Sequence, residues 1–287
     1  YNTPFHDMMV NSYLVWDKAS GKAVAFDTGT DIDDMLAALK AKNLRLDLIL
    51  LTHSHGDHIY ELDRLVEKTG ATAWIADREP VAGASTFAAG RVFEVGGLRI
   101  DSRLTWGHSP GGITYVVTGL ARPLAVVGDA IFAGSMGGGG VSYSDALRTN
   151  QEEILSLPDE TIICPGHGPL VHDPRERLQQ YVKHRDMRER QILGVLEGGG
   201  ALSSWDIMLQ LYPDIDKRLR RAADNNVRSH LRQLEDEGRL KVYAGKPRRP
   251  NAAKQARQEE HARVRAEVIK KARKYEDEQR RAEIRAQ

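Results

Sequence analysis

The run Leu46-Asp47-Leu48-Ile49-Leu50-Leu51 passes without a break into Thr52-His53-Ser54-His55-Gly56-Asp57-His58. The first part is an apolar stretch of the length of a buried strand, and the second is a polar loop dense in metal-binding side chains. At the end of a strand, where a rigid scaffold meets solvent, His53, His55, Asp57 and His58 can turn toward two adjacent metal positions. The plainer alternative is a His-rich surface loop.

Outward from this stretch the same alternation of elements repeats. Upstream, YLVW and AVAF flank a Lys-Ala-Ser-Gly turn, which predicts a hairpin between Ser12 and Asp27. Met35, Leu36 and Leu39 lie at helical spacing within Asp33 to Lys42, and Tyr60 to Lys68 reads as a helix closed by Gly70. Strands are predicted over Ala71 to Ile75, Arg91 to Val95, Leu98 to Leu104, Thr114 to Val117, Leu124 to Val127 and Pro158 to Cys164. Mixed strands with helices outside them indicate an α/β sandwich.

Three further candidates share the setting of the first cluster. His108 stands in Gly107-His108-Ser109-Pro110-Gly111-Gly112 between two predicted strands, Asp129 ends LAVVGD, and His167 lies in Pro165-Gly166-His167-Gly168-Pro169 after TIIC. Glycine beside the last two lets backbone approach closely. Cys164 reads as a small core residue rather than a ligand.

The pattern H-x-H-x-D-H, then G-H, G-D and G-H-G resembles that of the metallo-β-lactamase superfamily over about the first 170 residues. The resemblance implies an αββα sandwich and two metal ions, one held by His53, His55 and His108, the other by Asp57, His58 and His167, with Asp129 bridging both. It also matches Asp27, in Asp27-Thr28-Gly29, to a buried aspartate that supports the cluster; as a residue alone, Asp27 reads equally well as a turn former. Zinc suits imidazole and carboxylate donors, with iron or manganese as alternative metals, and two such ions make a shared water nucleophilic near neutral pH. Asp57 is the expected catalytic group, holding or steering that water's proton. The bridging Asp129 argues against an antibiotic-degrading β-lactamase, whose members lack it, and toward the glyoxalase II, lactonase and nuclease branches. The segment Gly134 to Gly140 is expected to offer N–H groups to an anion or to act as a lid.

Past Pro169 the chain turns to helices rich in Arg, Glu, Leu and Gln. Arg175 to Leu196, a short helix capped by Ser203 or Ser204 and ending at Tyr212, Lys217 to Glu237, and a strand over Arg239 to Tyr243 follow in the order of a winged-helix unit. Gln179-Gln180-Tyr181, His184-Arg185, Arg188-Glu189, Gln191-Ile192-Leu193, His230-Leu231, Leu234-Glu235 and Glu237-Gly238 resemble the β-lactamase-like endoribonuclease family. Residues 1–174, 175–245 and 246–287 are therefore expected to form a catalytic domain, a winged-helix-like domain and a basic helical tail. Of the chain's 41 Lys/Arg and 40 Asp/Glu, 14 and 7 fall between Ala244 and Gln287, so an acidic body carries a basic end. With Arg218, Arg220, Arg221, Arg228, Arg232, Lys246, Arg248 and Arg249 it offers phosphate contacts, although Trp205, Tyr212 and Tyr243 are few aromatics for stacking bases.

A small-molecule ester or thioester is the first expected substrate and single-stranded RNA the second, with a mononuclear iron sulfur dioxygenase third. A homodimer is kept open. The composition, 41% apolar and 28% charged, and the lack of any run of about 18 apolar residues exclude a membrane-spanning helix. A single cysteine rules out an internal disulfide, and the opening YNTPFHDMMVNSYLVW lacks the pattern of a signal peptide, so cytoplasm is the expected compartment.

Overall fold

The computed structural model describes residues 1–6, 8–133, 136–137, 146, 149, 152–198 and 201–243, without the side chains of residues 177 and 178. An N-terminal hairpin of β1 (Asn2–Phe5) and β2 (Met8–Asn11) precedes two five-stranded sheets. In the first sheet β3 (Tyr13–Trp16), β4 (Lys22–Phe26), β5 (Arg45–Leu50), β6 (Thr72–Ala76) and β7 (Ser85–Phe87) lie side by side in that order. Only β3 and β4 run antiparallel there. The second sheet has the order β12-β11-β10-β9-β8, formed by β8 (Val92–Val95), β9 (Leu98–Leu104), β10 (Ile113–Thr118), β11 (Leu124–Gly128) and β12 (Ile162–Pro165).

Burial explains the layering. Val24, Phe26 and Leu50 of the first sheet meet Ile100, Tyr115, Val117 and Val126 of the second in one core. The neighbouring residues Ala23, Ala25, Ile49 and Leu51 point the other way, onto Met35 and Leu39 of α1 (Asp33–Ala41) and Leu62 and Leu65 of α3 (Leu62–Thr69). Val116, Ala125, Val127 and Ile163 form the outer face of the second sheet, where Ile154, Leu157 and Val171 cover them. The architecture is thus an αββα sandwich whose central strands are apolar on both faces. Cys164 lies in the core between the sheets, and burial raises its thiol to about 12, so it stays a neutral packing residue.

Helix α4 (Pro174–Leu196) belongs to two cores at once. Its Tyr181 and Val182 pack on the outer face of the second sheet, while Ile192, Val195 and Leu196 pack with α5 (Ser204–Leu211) and α6 (Arg220–Asp236). Ser203 and Asp206 form a reciprocal capping box that starts α5 where the sequence expects it. Helix α6 begins later than Lys217, because the Asp216 side chain accepts the Arg218 N–H (2.8 Å) and holds a turn there. Residues 239–243 alternate like a strand but form none among the described residues. A wing needs a returning strand, and the sequence that would supply it lies outside the described residues, as does the expected helical tail. Among the described residues no helix is long and apolar enough to cross a membrane.

Candidate metal centre

The candidate ligating side chains stand on the loops that leave β5, β9, β11 and β12, at one edge of the sandwich. His53 and His55 follow β5 directly, and a four-residue helix, α2 (Gly56–Ile59), turns Asp57 and His58 inward. His108 occupies the β9–β10 connection. A shift of register between Val126 and Gly128 ends β11 just before Asp129, which re-aims that carboxylate off the sheet. Gly128 is left-handed, with φ of 50°, and a Cβ there would lie 2.5 Å from Thr52 Oγ1.

All seven sequence-predicted residues come together. One donor atom from each of His53, His55, His108 and Asp129 lies within 4.8 Å of the others, and so do those of Asp57, His58 and His167. Asp129 joins the two sets: its Oδ1 is 3.3 Å from His58 Nε2, and its Oδ2 is 3.4 Å from both His108 Nε2 and His167 Nε2. Asp57 Oδ2 lies 3.3 Å from His167 Nε2 and 3.6 Å from His58 Nε2.

Three of the imidazoles, His53, His58 and His167, are held from behind so that their Nε2 atoms face this centre. Asp27, buried and with φ of 53°, accepts hydrogen bonds from Thr52 N (2.7 Å), Thr52 Oγ1 (2.8 Å) and His58 Nδ1 (2.7 Å). A carboxylate only accepts here, so Nδ1 of His58 carries hydrogen and Nε2 points inward. With its own hydrogen given to Asp27, Thr52 Oγ1 accepts from His53 Nδ1 (3.0 Å), and the carbonyl of Met9 accepts from His167 Nδ1 (2.6 Å). Asp27 forms no turn, its N–H going to the Leu50 carbonyl (3.1 Å), and its side chain supports the cluster. Sequence reasoning missed Thr52, Asn11 and Glu79. Buried Glu79 accepts the Ser54 N–H (3.1 Å) inside the ligand loop, and Asn11 holds the loop of His167. Glu79 and Asn11 act on backbone remote in sequence, and Thr52 links its neighbour His53 to Asp27, 25 residues away; no local motif reports these contacts.

The polar atoms fit metal ions better than they fit one another. His58 Nε2 and Asp129 Oδ1 are buried and make no hydrogen bond, although they lie 3.3 Å apart. Nε2 of His53 and Nε2 of His108 both stand 3.0 Å from His55 Nδ1, three ring nitrogens crowded on one point. A cation between them takes up every lone pair, whereas buried polar groups left unmatched cost about 1–3 kcal/mol each. Burial works against a charge on His58, but the carboxylates of Asp27 and Asp129 outweigh it and raise the ring to about 10. His167 is raised to about 10 by its hydrogen bonds to Asp129 and Asp57. His53 is held well below its ordinary value by burial and the neighbouring His58, and His108 is lowered chiefly by burial. Burial would raise Asp57 and Asp129, yet the adjoining His167 and His58 bring both below the ordinary carboxylate range.

Several of the residues that resemble an endoribonuclease appendage serve pairing and packing within the helical unit, while Tyr181 packs on the second sheet. Arg185 lies 3.2 Å from Glu189, which also meets Arg239 (3.1 Å), and Arg188 stacks on Tyr212 (4.4 Å). Of the candidate phosphate-binding arginines, Arg218 pairs with Asp216 (2.9 Å) and Arg228 with Asp224 (2.8 Å). Lys246, Arg248, Arg249 and most of Gly134 to Gly140 lie outside the described residues.

Comparison with known proteins agrees with this layout. Residues 7–167 match the model of the Metallo-beta-lactamase superfamily, and residues 203–246 that of the Beta-lactamase associated winged helix domain. The chain is 29% identical over 249 residues to a Beta-lactamase-like protein 2 homolog of Caenorhabditis elegans, covering 82% of this chain and 81% of that one. It is 27% identical over 190 residues to a probable polyketide biosynthesis zinc-dependent hydrolase of Bacillus velezensis, covering 63% and 82%. A metallo-beta-lactamase family protein of Thermus thermophilus shares the fold, with a TM-score of 0.65, 22% identity, and coverage of 85% of this chain and 95% of that one.

Proposed function

Because this chain belongs to the Metallo-beta-lactamase superfamily, with a winged-helix domain after the catalytic one, we propose that it is a dinuclear zinc hydrolase of small esters or thioesters. The observation that carries this reading is the convergence of seven donors in two sets joined by Asp129, with buried His58 Nε2 and Asp129 Oδ1 left without hydrogen bonds. His53, His55 and His108 would hold one ion, Asp57, His58 and His167 the other, and Asp129 both. Two ions there supply a Lewis acid for the scissile carbonyl and an acidified water as nucleophile. Asp57 is the proton-handling group: its Oδ2 faces the centre, and its lowered pKa keeps it an acceptor at neutral pH. Asp27, Thr52 and the Met9 carbonyl fix the tautomers of His58, His53 and His167, so that these three rings need not reorient as the reaction proceeds.

A small substrate is favoured over RNA by the local pairing of Arg218 and Arg228 with carboxylates of their own unit, which spends their charge inside it. The zinc-dependent hydrolase named above supports zinc over iron or manganese. We assign the chain to the cytoplasm on its lone, buried, unreactive cysteine.

The test is a side-by-side assay of the zinc-loaded protein on S-lactoylglutathione, simple acyl thioesters and single-stranded RNA, with Asp57→Ala as control. Thioester cleavage abolished by the substitution supports the proposal. RNA cleavage that is abolished by it and falls steeply with salt, with no thioester cleavage, replaces it.

A further inference from the structure

The loop Pro165-Gly166-His167-Gly168 has little to hold it in place by itself. It leaves the edge strand β12, its Gly168 has φ of 77°, and its Gly166 packs so closely on the centre that a Cβ would lie 2.3 Å from Asp129 Oδ1. Beyond the Gly166 N–H, which goes to the Gly128 carbonyl of β11 (2.7 Å), what holds it is the strand β2 and the residue that begins β3. Asn11 donates both side-chain hydrogens into the loop, from Nδ2 to the carbonyls of Pro165 (3.0 Å) and Gly168 (2.8 Å). Its backbone N–H goes to the Gly166 carbonyl (2.7 Å), Tyr13 OH goes to the Pro165 carbonyl (2.7 Å), and Met9 O takes the proton of His167 Nδ1 (2.6 Å).

Asn11 is buried, and Asn2 Nδ2 donates to its Oδ1 (2.7 Å). That bond fixes which end of the amide faces the loop, because only the oxygen can accept from Asn2. The NH2 group is thus aimed at two carbonyl oxygens on either side of His167. No other side chain can do this with the same shape: Asp presents an acceptor to acceptors, and Ser reaches one carbonyl at most. Ligands must be held to within about half an ångström for a metal to bind at full strength, and the groups behind them supply that restraint.

We propose that Asn11 is a positioning residue for the second metal set, holding His167 against Asp57 and Asp129 while leaving His53, His55 and His108 untouched. The inference rests on the two-metal reading above. It predicts a selective effect, since the elements carrying His53, His55 and His108 make no hydrogen bond to Asn11.

The experiment is titration of the metal-free full chain with Zn2+ against a chromophoric chelator, and with Co2+ followed by its visible spectrum, for wild type, Asn11→Asp and Tyr13→Phe. Wild type is expected to take up two ions. Asn11→Asp keeps the first at its original affinity and binds the second at least 10-fold more weakly, with the spectrum of the second cobalt altered and that of the first unchanged. Tyr13→Phe, which removes one donor to Pro165 O and leaves that of Asn11, weakens the second ion by a smaller factor. A general loss of folding would weaken both ions together, so equal loss of both in either variant, or unchanged affinities in both variants, overturns the proposal alone. Should Asn11→Asp fail to fold, Asn2→Ala, which removes the donor that orients the Asn11 amide, decides by the same criterion. A wild type that binds fewer than two ions overturns the two-metal reading, and this proposal with it.

Discussion

Replacing Asp27 by Asn changes one oxygen to an amide group at the back of the centre. The backbone tolerates the change, because Asn is among the few residues at ease at a φ of 53°. Thr52 N must still donate to the remaining oxygen, so the new NH2 group takes the place of Oδ2, which now accepts from Thr52 Oγ1 and His58 Nδ1. A donor facing His58 Nδ1 at 2.7 Å forces the ring to carry its hydrogen on Nε2, the nitrogen aimed between Asp57 and Asp129. A metal must then displace that hydrogen and leave Nδ1 facing a donor it cannot pair with. Losing such a supporting bond typically costs a factor of about 10–100 in metal affinity, or about 1.4–2.7 kcal/mol. The loss should fall first on the ion held by Asp57, His58 and His167, and reach the other through Thr52 Oγ1, which loses the acceptor for its hydrogen and with it the arrangement that orients His53. Zinc competition read beside circular dichroism checks it: an Asp27→Asn chain that is folded and binds both ions as tightly as wild type refutes the tautomer argument.

Gly166→Ala places a methyl group 2.3 Å from Asp129 Oδ1 and 2.6 Å from His58 Cε1, so it should destabilise the chain by about 1–3 kcal/mol, and an unchanged melting temperature would show that the loop yields freely. Asp129→Ala should sharply reduce bound metal and activity while His184→Ala leaves metal content as it was; equal losses in elemental analysis would contradict the assignment. Metal uptake should release about two protons per chain at pH 7.5, because His58 and His167 stand at about 10 in the metal-free chain, and calorimetry in buffers of differing ionisation enthalpy counts them. The sign follows from these raised values. The stability the two histidines give the metal-free chain is fully present below about pH 6.5 and is lost as pH rises through about 10, while zinc affinity climbs over the same span.

The convergence of the candidate ligands was legible because each sits at or soon after the end of an apolar run, and glycines beside Asp129 and His167 mark where backbone comes close. Position along the chain was enough to find them. Their supports were not legible in the same way: Asn11 acts across 154 residues on Pro165, and nothing near Asn11 in sequence says so. The missed strands have physical reasons too. β7 spans three residues and owes its form to parallel pairing with β6, and β1 mixes Pro4 with polar residues and is held by its partner β2. The predicted strand from Pro158 starts only at Ile162, because Thr161 N donates to the Pro158 carbonyl (3.0 Å) and closes a turn first. Alternation alone predicted a strand over 239–243, where the Val242 N–H goes instead to the Glu235 side chain (2.8 Å).

The distribution of ligands over the two sheets ties the chemistry to the fold. His53, His55, Asp57 and His58 follow the central strand of the first sheet, whereas His108, Asp129 and His167 belong to the second. Packing of the two sheets through Phe26, Leu50, Tyr115 and Val126 is therefore what brings the halves of each metal set face to face. That closure also gathers imidazoles that repel when charged and compete when neutral, as the lowered His53 and raised His58 show in opposite directions. Apolar burial between the sheets, at about 25 cal/mol per Å2, sustains this arrangement in the metal-free chain. In the proposed two-metal reading each ion would draw on side chains from both sheets, so its binding would remove an electrostatic cost and tie the sandwich together in the same event.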